Sequence, residues 1–385
     1  MSATSAVVRA ALLALGAGLV ASCGPARDRD VRIGLLALLN GELAPQSGVP
    51  SKEGAQLAVD EINEQGGVEI AGTRHRLRLI VKSYEPRADA ASSAARELVN
   101  LDSIDVLLGP QLSAHAIAAS RVAEDARVPM IAPMASNPAV TAGKQYVFRL
   151  AFLDPFQGEM LARYAIDDLH AKRAAVLFDV SEPYGTDIAA LFTSTFVKDG
   201  GTIVAKETFT SDQRTDFRAQ LTRIAATHPD VLLLPNYSVV DSFQVRQARA
   251  AGITATFLGS DNWDPPGLRH VPEAVGTVFT HQWDPSTPLP AAKAFMERYR
   301  VRYPESVRST AAMTYDAVRI VADALHRAGT TDGAAVAKAI GATKGYQGVT
   351  GTITFDGTGD PRRTGIVSRL GPAADTILRL VTPTP

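Results

Sequence analysis

Two groups of residues in this 385-residue chain have types and spacing suited to gripping a small molecule charged at both ends. The first is Ser113, in Gly109–His115, with Ala135 and Ser136, in Ala132–Val140. Hydroxyls and free backbone N–H groups at the start of a helix make an anion site, and Ser113 is placed to cap one. The second is Tyr184 in Asp179–Asp187, Tyr237 and Ser238 in Pro235–Asp241, and Asp261 with Trp263 in Gly259–Pro266. An acid among aromatic rings suits an ammonium, through charge pairing and cation–π attraction. If the two groups face each other, they fit a zwitterion. Read alone, each residue has a simpler role: the serines as caps, the tyrosines as packing, Asp261 as a turn former. Phe156 and Gln157 read as packing near a hinge rather than as ligand contacts.

These stretches follow short apolar runs, and the runs alternate with helical patterns. Val31–Leu36, Leu77–Val81, Asp105–Leu108 and Val128–Pro133 read as strands, separated by patterns such as Ala55, Ala58, Val59 and Ile62. After Arg149 the alternation restarts, with strands at Ala174–Val180, Thr202–Phe209, Asp230–Asn236 and Thr254–Ser260. Such alternation implies parallel sheets covered by helices, and ligands then bind at the carboxyl ends of the strands. Two consecutive sets imply an α/β protein of two Rossmann-like lobes. The tail departs from the pattern: two helical stretches, Ala291–Tyr303 and Ala311–Ala328, precede a hairpin-like Gly348–Pro361 and a last strand near Ile366–Leu370. It is expected to complete the first lobe and then cross to the second. Lobe 1 is thus 31–149 with 281–354, and lobe 2 is 150–280 with 355–385. The three crossings, near Phe148–Phe152, Phe279–Trp283 and Thr352–Asp356, would form a hinge.

The beginning of the chain carries different chemistry. Arg9 precedes an apolar run from Ala10 to Val20, and the small residues Ala21 and Ser22 lead to Cys23, the single cysteine. This pattern reads as a signal peptide over 1–22. Val20-Ala21-Ser22-Cys23 resembles a bacterial lipobox, so Cys23 is the expected lipidation site and the chain is expected to be anchored to a membrane, in the periplasm or at the cell surface. Residues 23–30 read as a tether. One cysteine leaves no internal disulfide.

Composition narrows the function. Formal net charge is -1 and charged residues make up 21%, with no basic stripe, so no nucleic-acid partner is expected. Walker, Gly-x-Ser-x-Gly, His-Glu-x-x-His and Gly-x-Gly-x-x-Gly patterns are missing, which argues against catalysis and against a nucleotide cofactor. His115 and His281 stand apart from any regular ligand spacing, so neither a metal nor any other cofactor is expected.

Several stretches, Gly54–Val68, Val106–Ser120, Val128–Pro138, Asp154–Tyr164, Tyr184–Asp187, Arg246–Ile253 and Leu258–Asp264, together resemble the substrate-binding proteins of branched-chain amino acid ABC importers, the type I periplasmic binding fold. The resemblance spans Val31 to Leu370. It implies that Ser113 binds a ligand α-carboxylate, that Ala135 and Ser136 hold the α-amino and carboxylate groups, that Tyr184 lines a side-chain pocket and that Asp261 pairs with the ammonium. The second tyrosine of the family matches Tyr237 or Ser238, depending on a one-residue shift. The implied partners are an amino acid-like small molecule and an ABC permease, the alternative being a sensor that reports occupancy without transport. Gly41–Gly54 differs from the family's usual loop near the ligand side chain, and the first-lobe disulfide of well-known members has no counterpart.

Overall fold

The structure is a computed structural model, and it describes residues 30–263 and 265–383. The expected signal peptide, Cys23 and all of the tether but Asp30 lie outside the described residues. In chain order the first half runs β1 (Val31–Ala37), α1 (Gly48–Glu64), the small hairpin β2 (Val68–Ile70) and β3 (Thr73–His75), β4 (Leu77–Ser83), α2 (Ala88–Asn100), β5 (Val106–Leu108), α3 (Ser113–Ala126), β6 (Met130–Ala132) and β7 (Val147–Arg149). The second set is α4 (Asp154–Asp167), β8 (Arg173–Asp179), α5 (Pro183–Lys198), β9 (Thr202–Phe209), α6 (Arg218–Ala225), β10 (Val231–Leu234), α7 (Ser238–Ala250), β11 (Thr256–Gly259), α8 (Pro265–Leu268) and β12 (Val278–His281). The tail supplies α9 (Pro290–Arg302), α10 (Ser309–Ala328), α11 (Gly333–Gly341), β13 (Tyr346–Gly348), β14 (Gly351–Phe355), β15 (Pro361–Arg362), β16 (Gly365–Arg369) and β17 (Thr376–Val381).

Successive residues of a strand face opposite sides of its sheet, and that alternation builds four cores from two sheets. The first sheet, β4-β1-β5-β6-β7, is parallel throughout. On β1, Val31, Ile33 and Leu35 join the core under α1 and α10, while Leu36 joins the core under α2 and α3. The second sheet follows the same rule. Leu232 and Leu234 of β10 face α6 and α7, and Val231 and Leu233 face α4 and α5. Helices α1 and α10 meet closely at Gly54, where a β-carbon would lie 2.1 Å from the Ala311 carbonyl oxygen.

The second sheet, β17-β16-β12-β11-β10-β8-β9, is mixed. Five strands are parallel, but β16 lies antiparallel to β12 and β17 antiparallel to β16. The expected parallel sheets are present, and the tail adds this antiparallel edge to the second. The connection from β16 to β17 is too short for the crossover that parallel pairing requires.

The chain passes between the lobes three times. Leu150 and Ala151 pack in a core of the first sheet, whereas Phe152 packs in one core of the second sheet. Phe279 packs in the other core of the second sheet and Trp283 in a core of the first. The last passage falls between β15 and β16, later than the expected Thr352–Asp356. Ile353 and Phe355 are buried in the first core, and β15 pairs with β14. Asp360 is held to the first lobe by Thr141 Oγ1 at 2.7 Å and Arg149 Nε at 2.5 Å.

Candidate functional site: a cleft between two lobes

Ser113 opens α3, directly after the loop that leaves β5. It does not cap that helix as expected: Leu112 occupies the cap position and no side chain caps there. The Ser113 hydroxyl instead accepts the Asn137 N–H at 3.3 Å, which links the two lobe-1 loops. Ala135 and Ser136 lie in the loop after β6, both buried, and the Ser136 hydroxyl stands next to the Asp154 carboxyl, where it opposes the rise in that acid's pKa. Behind them stands Arg149, wholly buried at the end of β7. Its Nη1 donates to the Asn137 carbonyl at 2.7 Å, and its Nη2 to the Pro138 carbonyl at 3.2 Å and Thr141 Oγ1 at 2.5 Å. One guanidinium thus fixes the curve of the Ser136 loop. Burial lowers its pKa, and the adjacent Asp360 carboxylate opposes that shift.

Lobe 2 brings Tyr184 from the first turn of α5, Tyr237 from the cap position of α7, and Asp261 from the loop after β11. The tyrosine rings stack, with centroids 5.0 Å apart and an interplanar angle of 10°. Tyr184 donates its O–H to Asp261 Oδ1 at 2.6 Å, and Gln282 Nε2 donates to Asp261 Oδ2 at 2.6 Å. The Tyr237 hydroxyl is buried and unpartnered, and its ring packs against the lobe-1 core. Trp263 has a larger structural role than expected. Its indole N–H donates to the Leu234 carbonyl at 3.0 Å, and its ring lies where a β-carbon on Gly259 would stand. It packs in the lobe-2 core while also lining the cavity described below.

Asp154 carries no separate signal in the sequence. At the start of α4 it is fully buried; its N–H donates to the Ser136 carbonyl at 3.0 Å, and its Oδ2 has no partner. Gln157 is more than packing. Its Oε1 accepts the Asp261 N–H at 3.1 Å and the Thr280 hydroxyl at 2.8 Å, and its Nε2 donates to Asp154 Oδ1 at 3.3 Å. It therefore spaces two acids. Burial raises the pKa of both Asp154 and Asp261, strongly for Asp154. The Tyr184 and Gln282 hydrogen bonds oppose the shift at Asp261, and the nearby Asp261 charge adds to it at Asp154. Burial also pushes both tyrosine hydroxyls well above their ordinary value, which keeps them neutral donors.

The lobes touch across the cleft. Asn137 Nδ2 donates to Asp187 Oδ2 at 2.8 Å and to the Pro183 carbonyl at 3.3 Å, Ser238 bonds to Gln46, and Arg214 pairs with Glu42 at 2.9 Å. This is a closed arrangement. Beside Asp261 it leaves a cavity of about 300 Å³, walled by Trp263 and Trp283 and reached by the loop before α1 through Leu43, Gln46 and Ser47. That volume is at the lower end for small-molecule sites, typically about 300–1,000 Å³. Ser113, Ala135, Ser136, Tyr184 and Tyr237 are not among the residues that line this cavity.

The histidines differ from one another. His115 is buried against Tyr84, its Nδ1 3.1 Å from the hydroxyl. His281 is less isolated than its sequence neighbourhood implies, since Asp284 and Asp375 come within 4.8 Å of its ligating atom. Arg269 already pairs with Asp375 at 2.8 Å and supplies positive charge there.

Comparison with known proteins gives one consistent picture. The family model described as "Periplasmic binding protein" matches residues 30–369. The Leu/Ile/Val-binding protein homolog 3 of Brucella melitensis is 32% identical over 339 residues, covering 86% of this chain and 88% of that protein. The Leu/Ile/Val-binding protein BraC3 of Rhizobium johnstonii is 33% identical over 355 residues, covering 91% and 94%. Among solved structures, the leucine binding protein LivK of Thermotoga maritima superposes with a TM-score of 0.85 at 30% identity, covering 92% of this chain and 99% of that one. LivJ of Streptococcus pneumoniae, solved with isoleucine, gives the same score and identity, covering 92% and 100%.

Proposed function

This chain belongs to the periplasmic binding protein family, and from that premise we propose that it captures an α-amino acid or closely related small solute outside the cytoplasm and delivers it to an ABC permease. It acts by binding rather than by catalysis. One observation carries the reading: Asp154 and Asp261, two buried carboxyls with raised pKa values, meet the buried Ser136 loop where the lobes come together. A ligand ammonium stabilises the charged form of the acids, while its carboxylate takes the Ser136 and Ser113 hydroxyls and the backbone near Ala135. Tyr184 and Tyr237 form the wall between the two ends. A ligand touching both lobes favours the closed population, which is the form a permease can distinguish. The three interlobe passages serve as the hinge, and lipidated Cys23 ties the domain to the membrane surface.

The test is thermal unfolding of the purified protein across the free amino acids, with Asp261→Ala alongside. A ligand at ~100 times its Kd adds roughly 2.7 kcal/mol to the stability of the protein that binds it. One or more amino acids should raise the midpoint, and Asp261→Ala should abolish the rise. Equal rises in both proteins would contradict the role of Asp261.

A further inference from the structure

We propose that Gln282 is a positioning residue that couples the ligand to the hinge: it joins the Asp261 carboxyl to all three interlobe passages, so that engagement of that acid draws the lobes together. This inference rests on the zwitterion reading of the cleft, in which Asp261 meets the ligand ammonium.

Gln282 sits on the second passage, between Phe279 of lobe 2 and Trp283 of lobe 1, and is buried. Its Nε2 donates to Asp261 Oδ2 at 2.6 Å, and its Oε1 accepts the Phe152 N–H of the first passage at 3.0 Å. One amide orientation alone gives both bonds, because the reverse sets oxygen against carboxylate oxygen and NH₂ against N–H. The Gln282 backbone carbonyl accepts Arg363 Nη2 of the third passage at 3.3 Å. Arg363 is buried too, and it reaches into lobe 1: Nη2 donates to the Thr350 carbonyl at 2.8 Å and Nη1 to Thr350 Oγ1 at 3.0 Å. Asp316 of α10 then accepts the Val349 and Thr350 N–H groups, each at 2.9 Å, and the Thr350 hydroxyl at 2.6 Å. A continuous polar line thus runs from α10 in lobe 1, through the hinge, to the acid in lobe 2.

The other partners of Asp261 do not make this link. Tyr184 holds Oδ1 from within lobe 2, and Gln157 ties the Asp261 N–H to Thr280 without touching the carboxylate. Gln282 touches both the carboxylate and the passages. Opening the lobes turns the α10 end of the line against the Asp261 end, and a bond of 2.6 Å tolerates little such movement. Its strength also depends on charge. A hydrogen bond to an ionised carboxylate is roughly twice as strong as one to a neutral group, and burial disfavours the ionised form of Asp261 until an ammonium arrives. Ligand binding therefore strengthens a bond whose geometry belongs to the closed arrangement. Such a difference between states is what lets a ligand move an open population to a closed one.

Small-angle X-ray scattering and thermal melts test this on the purified protein, Gln282→Met and Asp261→Asn, with an equimolar mixture of the common L-amino acids as the probe. Methionine is similar in length to glutamine and lacks both hydrogen-bonding atoms. The mixture should contract the unaltered protein and raise its midpoint. Gln282→Met should need about tenfold more of the mixture for the same rise, and at saturation should show less than about half of the contraction. A purely structural role would lower the midpoint of the ligand-free variant and leave the contraction whole. If Gln282→Met folds poorly, hydrogen exchange at the Phe152 N–H of the unaltered protein decides: the mixture should slow it about tenfold or more, and Asp261→Asn should remove that slowing. Full contraction in Gln282→Met, or Phe152 exchange that the bound mixture leaves unchanged, overturns this inference and leaves the zwitterion site standing. If the mixture neither contracts nor stabilises the unaltered protein, the zwitterion reading fails and this inference fails with it.

Discussion

The two sides of the cleft solve opposite electrostatic problems. On lobe 1 the charge behind the Ser136 loop is spent within the protein: Arg149 is saturated by Asp360, Thr141 and three loop carbonyls, which leaves a neutral hydroxyl edge at the cleft. On the other side the acids are left short of positive charge. Asp154 and Asp261 receive neutral hydrogen bonds from Gln157, Tyr184 and Gln282, and their pKa values are raised. A completed ion pair builds the shape of one half, and an incomplete one creates the demand in the other. In the proposed reading, a zwitterion held by both lobes makes closure itself the recognition step.

That contrast can be broken from either side. The largest effect is expected for Arg149→Ala, which strands Asp360 and frees the Ser136 loop. Losing one partner of a buried pair costs about 3–5 kcal/mol, readable as a lower urea midpoint. Asp261→Ala should act mainly on the other half, weakening amino acid binding by ~100-fold or more in calorimetry and costing the ligand-free protein about 1–3 kcal/mol, because the Tyr184 and Gln282 donors lose their buried acceptor.

A smaller effect concerns Glu182, beside Tyr237 at the start of α5, whose carboxyl burial and Asp179 push up to about 7. The folded state then holds a proton that the unfolded state releases above about pH 4.5, so stability falls as pH rises from about 4.5 to 7 and levels off above. Glu182→Gln should flatten that limb by on the order of 2 kcal/mol in pH-dependent melts. Least of all, Arg214→Ala removes an exposed lip contact to Glu42 and should change stability by under ~1 kcal/mol, an effect that added salt also erases.

Much of this was legible in the sequence because one physical rule dominates it. Strands covered on both sides show as short apolar runs, and their alternation with helices places Ser113, Ser136, Tyr184, Tyr237 and Asp261 at the ends where ligands bind. What stayed hidden depends on distance along the chain. Arg149 and Asp360 are 211 residues apart, and Asp375 reaches His281 only because β16 and β17 fold back along β12. Asp154 looks like an ordinary first-turn acid until its burial is known. Trp263 reads as a ligand contact because it follows Asp261; it lines the cavity, and the close approach at Gly259 also commits much of its ring to the core.

The central claim, that the cleft reads both charges of a zwitterion, is tested most directly by calorimetric titration of L-glutamate and L-leucine beside analogues lacking one charge each. Those are glutarate and 4-aminobutanoate for the first, and 4-methylpentanoate and 3-methylbutylamine for the second. The account predicts that removing either the α-amino or the α-carboxylate group weakens binding by about 100-fold or more, since each loss leaves buried polar groups unpaired. An analogue without the amino group that binds as tightly as its parent amino acid would contradict it.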